Sequence, residues 1–177
     1  MQKLRSIALS SEFQNRVTDS GILKIENLKI HFPPATPRYL LDESLSRTYR
    51  SKPLVVVNDE NLFGELAILR YLQMDGWDGV WIDTFHGRGA RKVFWSNLPP
   101  DGYGKLSVDA EILYDKIVEA NDGKSSGFFD VFAWKDGRFI FIEYKGEGDS
   151  PNQNEIRWIN AAIKCGVRPE DLFFVTY

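Results

Sequence analysis

The chain is short of the residues that build thiol and imidazole chemistry, with one cysteine, Cys165, and two histidines, His31 and His86, in 177 residues. A lone cysteine excludes an intramolecular disulfide and suits a reducing compartment. Together the three residues do not make a zinc site. No apolar run reaches the length of a membrane span and no signal-peptide pattern opens the chain, so the expectation is an intracellular protein of cytoplasm, nucleus or nucleoid. Repeats and low-complexity tracts are missing as well. So is an excess of positive charge: the formal net charge is −3, whereas a nucleic-acid binder is more often basic. Any electrostatic footprint for such a partner must therefore be local.

What remains describes a folded chain of about one domain, 43% hydrophobic and 27% charged. Aromatic residues make up 14% and concentrate in segments that read as strands. The most informative stretch is residues 127–146. Two apolar, aromatic-rich runs flank Asp136-Gly137, the dipeptide suited to a type I′ hairpin turn. With those two residues as the turn, Lys135 pairs with Arg138 and the ladder sets Asp130 opposite Glu143. Alternation puts Lys145 on the face of Glu143 and Tyr144 on the other. Facing carboxylates repel, and a divalent cation between them is the usual reason to keep them. Oxygen ligands on a rigid sheet suit magnesium or manganese, and a neighbouring lysine can stabilise charge on a phosphate. The bland alternative is a salt-bridged patch in which Lys145 offsets two acids.

Elsewhere the signals are coarser. Residues 10–19 read as a short helix, 22–25 and 28–30 as strand-like, 33–37 as an extended proline break, and 54–57 as a short buried strand or part of an extended connection; Asp42 is placed to cap a helix through Tyr49. Asn58 or Asp59 then caps a helix to about Met74, with Leu62, Leu66, Leu69 and Leu72 as its buried stripe and Glu65 beside that stripe. A strand over 79–83 leads into the densest basic patch, Arg88, Arg91 and Lys92 around two glycines, which suits a phosphodiester backbone as well as it suits a solvated turn. Ser107 caps a helix to Ala120. After Lys145, Ser150 caps a further helix, with Pro151 as its first residue and Gln153 closing a capping box. Its buried stripe is Ile156, Ile159 and Ile163, while Gln153, Arg157 and Lys164 share an exposed face suited to a nucleic-acid strand. A buried strand over 172–176 closes the chain.

Gly127-x-x-Asp130, a hairpin, then Glu143-x-Lys145 resembles the PD-(D/E)XK nuclease superfamily. The continuation through Gly146, Asp149 and Trp158 is similar to its VRR-NUC branch, except that Glu155 stands where that branch usually has glutamine and Gln153 lies two residues early. The resemblance is strongest over 127–177 and extends to 60–85. It implies an α/β fold with a restriction-endonuclease-like core: a helix, a three-stranded meander, a helix and a strand, forming a mixed sheet flanked by helices. Residues 1–57 would then be an N-terminal extension packed on a nuclease domain of 58–177. The activity implied is Mg2+- or Mn2+-dependent endo- or exonucleolytic hydrolysis of DNA with branches, flaps or ends, as in DNA repair. Asp130 and Glu143 would hold the metal, with the Tyr144 carbonyl and Glu65 as added ligands and Lys145 assisting. Stand-alone members of the branch are often homodimers. The competing reading is a nuclease-fold module that binds nucleic acid or assembles without cutting.

Overall fold

The computed structural model describes residues 1–19, 21–84, 86, 92–146 and 148–177. Asp136 and Gly137 both have positive φ, 49° and 75°, as a type I′ turn requires, and Lys135 pairs with Arg138. In chain order the elements are α1 (Gln2–Ser6), β1 (Ser10–Thr18), β2 (Gly21–Lys29), α2 (Arg47–Arg50), β3 (Leu54–Val57), β4 (Glu60–Phe63) and α3 (Gly64–Met74). There follow β5 (Asp78–Asp83), β6 (Val93–Trp95), α4 (Val108–Ala120), β7 (Val131–Lys135), β8 (Arg138–Lys145), α5 (Gln153–Lys164) and β9 (Leu172–Thr176).

Seven strands form one mixed sheet in the order β1-β2-β9-β8-β7-β5-β6, parallel at β2–β9 and β8–β9 and antiparallel elsewhere. The hairpin β7–β8 lies at its centre and is buried on both faces, which accounts for its nearly continuous apolar runs. Val131, Ala133, Ile140 and Ile142 pack with Leu66, Leu69 and Leu72 of α3. Phe132 and Phe141 stack on the opposite face, 4.4 Å apart, in a cluster with Tyr114 of α4 and Trp158 of α5. The molecule is thus a mixed α/β structure, with helices on both faces of a mixed sheet. Among the described residues no helix is long and apolar enough to cross a membrane.

Several local expectations change. Residues 10–18 form strand β1, not a helix, and β2 runs unbroken beside it. Asn58 and Asp59 do not cap a helix. Both have positive φ, 49° and 63°, and they turn β3 back onto β4, so Leu62 belongs to a strand and α3 begins only at Gly64. Asp42 caps no helix; its carboxylate accepts from Ser44, and α2 covers only Arg47–Arg50. β5, β7 and β8 are neighbours as a meander requires, but the short edge strand β6 intervenes in sequence. The cap of α5 is Asn152 and its capping box closes with Glu155, not Gln153.

Candidate active site

β7 and β8 stop pairing regularly where the two acids stand. The last ladder pair at this end is Val131 with Ile142, and beyond it side chains replace the backbone partners. The Asp130 N–H donates to Glu143 Oε2 at 3.2 Å, and the Tyr144 N–H donates to Asp130 Oδ2 at 2.9 Å. Each carboxylate is thereby fixed to the opposite strand. Three residues before Asp130, Gly127 lets the chain pass close against α5. It has φ of 80°, and a Cβ there would sit 2.2 Å from the Asn154 carbonyl oxygen at the start of α5.

The acids then look to different neighbours. Glu143 is buried and meets Lys145 Nζ at 3.0 Å; the same ammonium reaches Glu155 Oε1 at 2.7 Å. Tyr144 packs against the other face, beside Phe32, as alternation requires. Asp130 faces a small cleft of about 120 Å³, shared with Lys52, Glu65 and Asp83. Glu65, in the first turn of α3, is buried; one of its oxygens pairs with Lys52 Nζ, and Oε2 has no hydrogen-bond partner among the described residues.

Burial and then Glu65 push the Asp130 carboxyl up to about 7, against the pull of Lys52 and the Tyr144 N–H. Burial, then Asp130, then Glu155 hold Glu143 well above the usual carboxylate range, although Lys145 draws it down. Burial also disfavours the two ammonium groups, but their acid neighbours outweigh it: Glu65 for Lys52 and Glu143 for Lys145 hold them above the ordinary lysine value. A nest of buried acids with two lysines results, with the acids short of positive charge.

Among the described residues, no group of three or more His, Cys, Asp or Glu side chains is gathered so as to hold a metal ion. The donor chemistry nevertheless suits a hard divalent cation. All the candidates are oxygens, the Asp130 and Glu143 carboxyls are both held above the usual carboxylate range, and Glu65 keeps one buried oxygen with no hydrogen-bond partner among the described residues.

Of the residues assigned to nucleic-acid contact, Arg88 and Arg91 lie outside the described residues. Lys92 Nζ donates to the Thr84 carbonyl at 2.9 Å. Gln153, Arg157 and Lys164 are exposed on α5 as expected. Arg157 bonds Asn154, Lys164 comes within 3.8 Å of Asp19, and none of the three bonds the acid cluster among the described residues. Asp149 orders the turn after β8, its carboxylate accepting the Gly146 N–H at 3.1 Å. Trp158 is fully buried and stacks on Phe129 at 4.5 Å, a packing role.

Sequence reasoning missed Lys52 and Asp83. Lys52 sits in a connection with no periodicity, and only the fold brings it to Glu65. Asp83 ends β5, where its carboxylate takes the Tyr49 hydroxyl and the His86 N–H, and His86 Nδ1 stands 2.8 Å from Oδ2. Its abrupt position at the end of an apolar strand was the available signal. No protein-family model matches this chain, and neither a curated protein nor a solved structure does.

Proposed function

We propose that the chain is a divalent-metal-dependent nuclease with a PD-(D/E)XK, VRR-NUC-like, restriction-endonuclease-type core, acting on DNA that carries branches, flaps or ends. One observation carries the reading: Asp130 and Glu143 are held across the parting end of a hairpin by each other's strand, with Lys145 on Glu143. Two acids held this close, Glu143 buried and Asp130 half-buried, are costly to keep without a task for them.

Asp130, Glu143, Glu65 and the Tyr144 carbonyl would hold Mg2+ or Mn2+, which when bound lowers the pKa of a coordinated water and polarises a phosphate. Lys145 stays charged beside Glu143 and supplies a positive charge to a non-bridging phosphate oxygen as negative charge builds there. Lys52 tempers the charge of Glu65 and Asp130, limiting their repulsion. Asp149 fixes the turn behind Lys145, keeping the end of β8 in place.

The test is cleavage of linear duplex, single strand, 5′ flap and four-way junction in EDTA, Mg2+ or Mn2+. Metal-dependent cutting is expected, with a loss of roughly 100-fold or more in Glu143→Ala and Lys145→Ala. Full activity in both variants overturns the assignment. A second reading, a binding module of nuclease type, is favoured by the ion pairs that Lys52 and Lys145 already make with Glu65, Glu143 and Glu155. It predicts that the wild type binds these DNAs and cuts none of them with either metal.

A further inference from the structure

Beside the acid cluster lies a larger cavity of about 430 Å³, mostly apolar and aromatic, walled by Phe32, Tyr144 and Tyr177 and carrying Arg38 and Lys52. The Tyr144 and Tyr177 rings stand 4.9 Å apart, and Tyr177 is 51% exposed despite its size. Lys52 and Glu65 line both this cavity and the cleft that holds Asp130, so the two spaces meet at that ion pair. Tyr144 joins them a second time. Its ring lines the cavity while its N–H holds the Asp130 carboxylate. The ring reaches this place because residue 64 is glycine; a Cβ there would lie 2.0 Å from Tyr144 Cε1.

An aromatic wall with cations next to a phosphodiester-cleaving centre has one well-matched ligand. A nucleobase offers a flat π face to stack on tyrosine, and its flanking phosphates meet arginine and lysine. The volume falls in the range of small-molecule sites, about 300–1,000 Å³. A base inside an intact duplex cannot enter a recess without being unstacked.

We propose that this cavity is a subsite for an unpaired nucleobase of the strand being cut, stacked on Tyr144 and Tyr177, with Arg38 and Lys52 on its phosphates. The inference rests on the nuclease reading for the position of the cut, and it assigns the substrate class: DNA with an unpaired nucleotide beside the scissile phosphate.

Binding without cleavage tests it. Single-stranded and fully paired oligonucleotides carrying 2-aminopurine are titrated with the full chain in EDTA, following fluorescence quenching and anisotropy. The single strand should be quenched and bound more tightly than the duplex. Tyr177→Ala and Arg38→Ala should each weaken that binding by about tenfold, with unchanged far-UV circular dichroism. Equal binding of the two DNAs, or quenching indifferent to both substitutions, overturns the subsite. Free dAMP binding as tightly as the oligonucleotide also overturns it, since the cavity would then serve a free nucleotide. Quenching in EDTA without cutting in any metal removes the nuclease reading and leaves base binding; cutting without quenching does the reverse.

Discussion

Lys145 Nζ lies 2.7 Å from Glu155 Oε1, a contact that ties the end of β8 to the first turn of α5. Glu155 also closes the capping box, its Oε2 accepting the Asn152 N–H at 3.3 Å. One carboxylate thus serves the helix terminus and the candidate catalytic lysine. Glu155→Ala should cost about 1–3 kcal/mol, from the lost cap and from a lysine left with one acid. Glu155→Gln retains an oxygen for the cap and should cost clearly less. Thermal unfolding of the two variants decides it, and equal melting temperatures would show the tie to be idle.

Metal-free stability should fall as pH rises from about 4 to about 7. In the folded chain Asp130 keeps its proton up to about 7, while the unfolded chain releases it near the ordinary value of 3.8. Across that window the folded state binds more protons, so raising pH favours unfolding. Glu143 is shifted the same way. The slope should amount to on the order of 2 kcal/mol between pH 5 and pH 8, and Asp130→Asn should flatten it. In wild type, Mg2+ should raise the melting temperature more at pH 8 than at pH 5.5, because deprotonated carboxylates bind it better. Identical pH profiles for wild type and Asp130→Asn in EDTA would count against this account.

The central hairpin was legible because its turn chemistry, alternation and apolar runs all agree on one register, which places Glu143 and Lys145 on β8 and brings Asp130 one residue past the last ladder pair, where side-chain bonds take over. Agreement failed elsewhere for identifiable reasons. β1 is largely exposed along its length, so its sequence carries no buried stripe from which to read a strand. Asn58 and Asp59 are good cap residues and equally good positive-φ turn residues, and only the pairing of Val57 with Glu60 decides between them. The α5 cap was misplaced although Asn152-x-x-Glu155 is itself a capping pattern; Ser150-Pro151 offered a competing one. Lys52 had no local signal, since its partner Glu65 is reached through tertiary structure.

Trp158 should prove structural. It is fully buried between Phe128, Phe129 and Phe141, and its Nε1 has no hydrogen-bond partner among the described residues. Trp158→Ala should therefore cost about 3–5 kcal/mol. Trp158→Phe sacrifices volume without stranding a polar partner and should cost about 1–2 kcal/mol. Denaturant unfolding measures both. A Phe variant as unstable as the Ala variant would mean that the indole nitrogen does have a partner.

Gly127 lets the chain enter β7 against the first turn of α5, and two separate obstacles oppose any side chain there. Its φ of 80° is strained for other residues, and a Cβ would stand 2.2 Å from the Asn154 carbonyl oxygen. Gly123 provides the comparison, with a similar φ of 70° and nothing within 4 Å of its would-be Cβ. Gly123→Ala should thus report the backbone term alone, about 1 kcal/mol. Gly127→Ala adds a clash with backbone that cannot swing aside and should cost about 2–4 kcal/mol, or roughly 4–16 °C in melting temperature for a chain this size. Because Asp130 follows three residues later, the displaced entry should also loosen the Asp130–Glu143 exchange, and metal-induced stabilisation should shrink in Gly127→Ala but not in Gly123→Ala. Equal costs for the two substitutions would show that the loop relaxes away from α5, and that the close approach does not hold the acids in register.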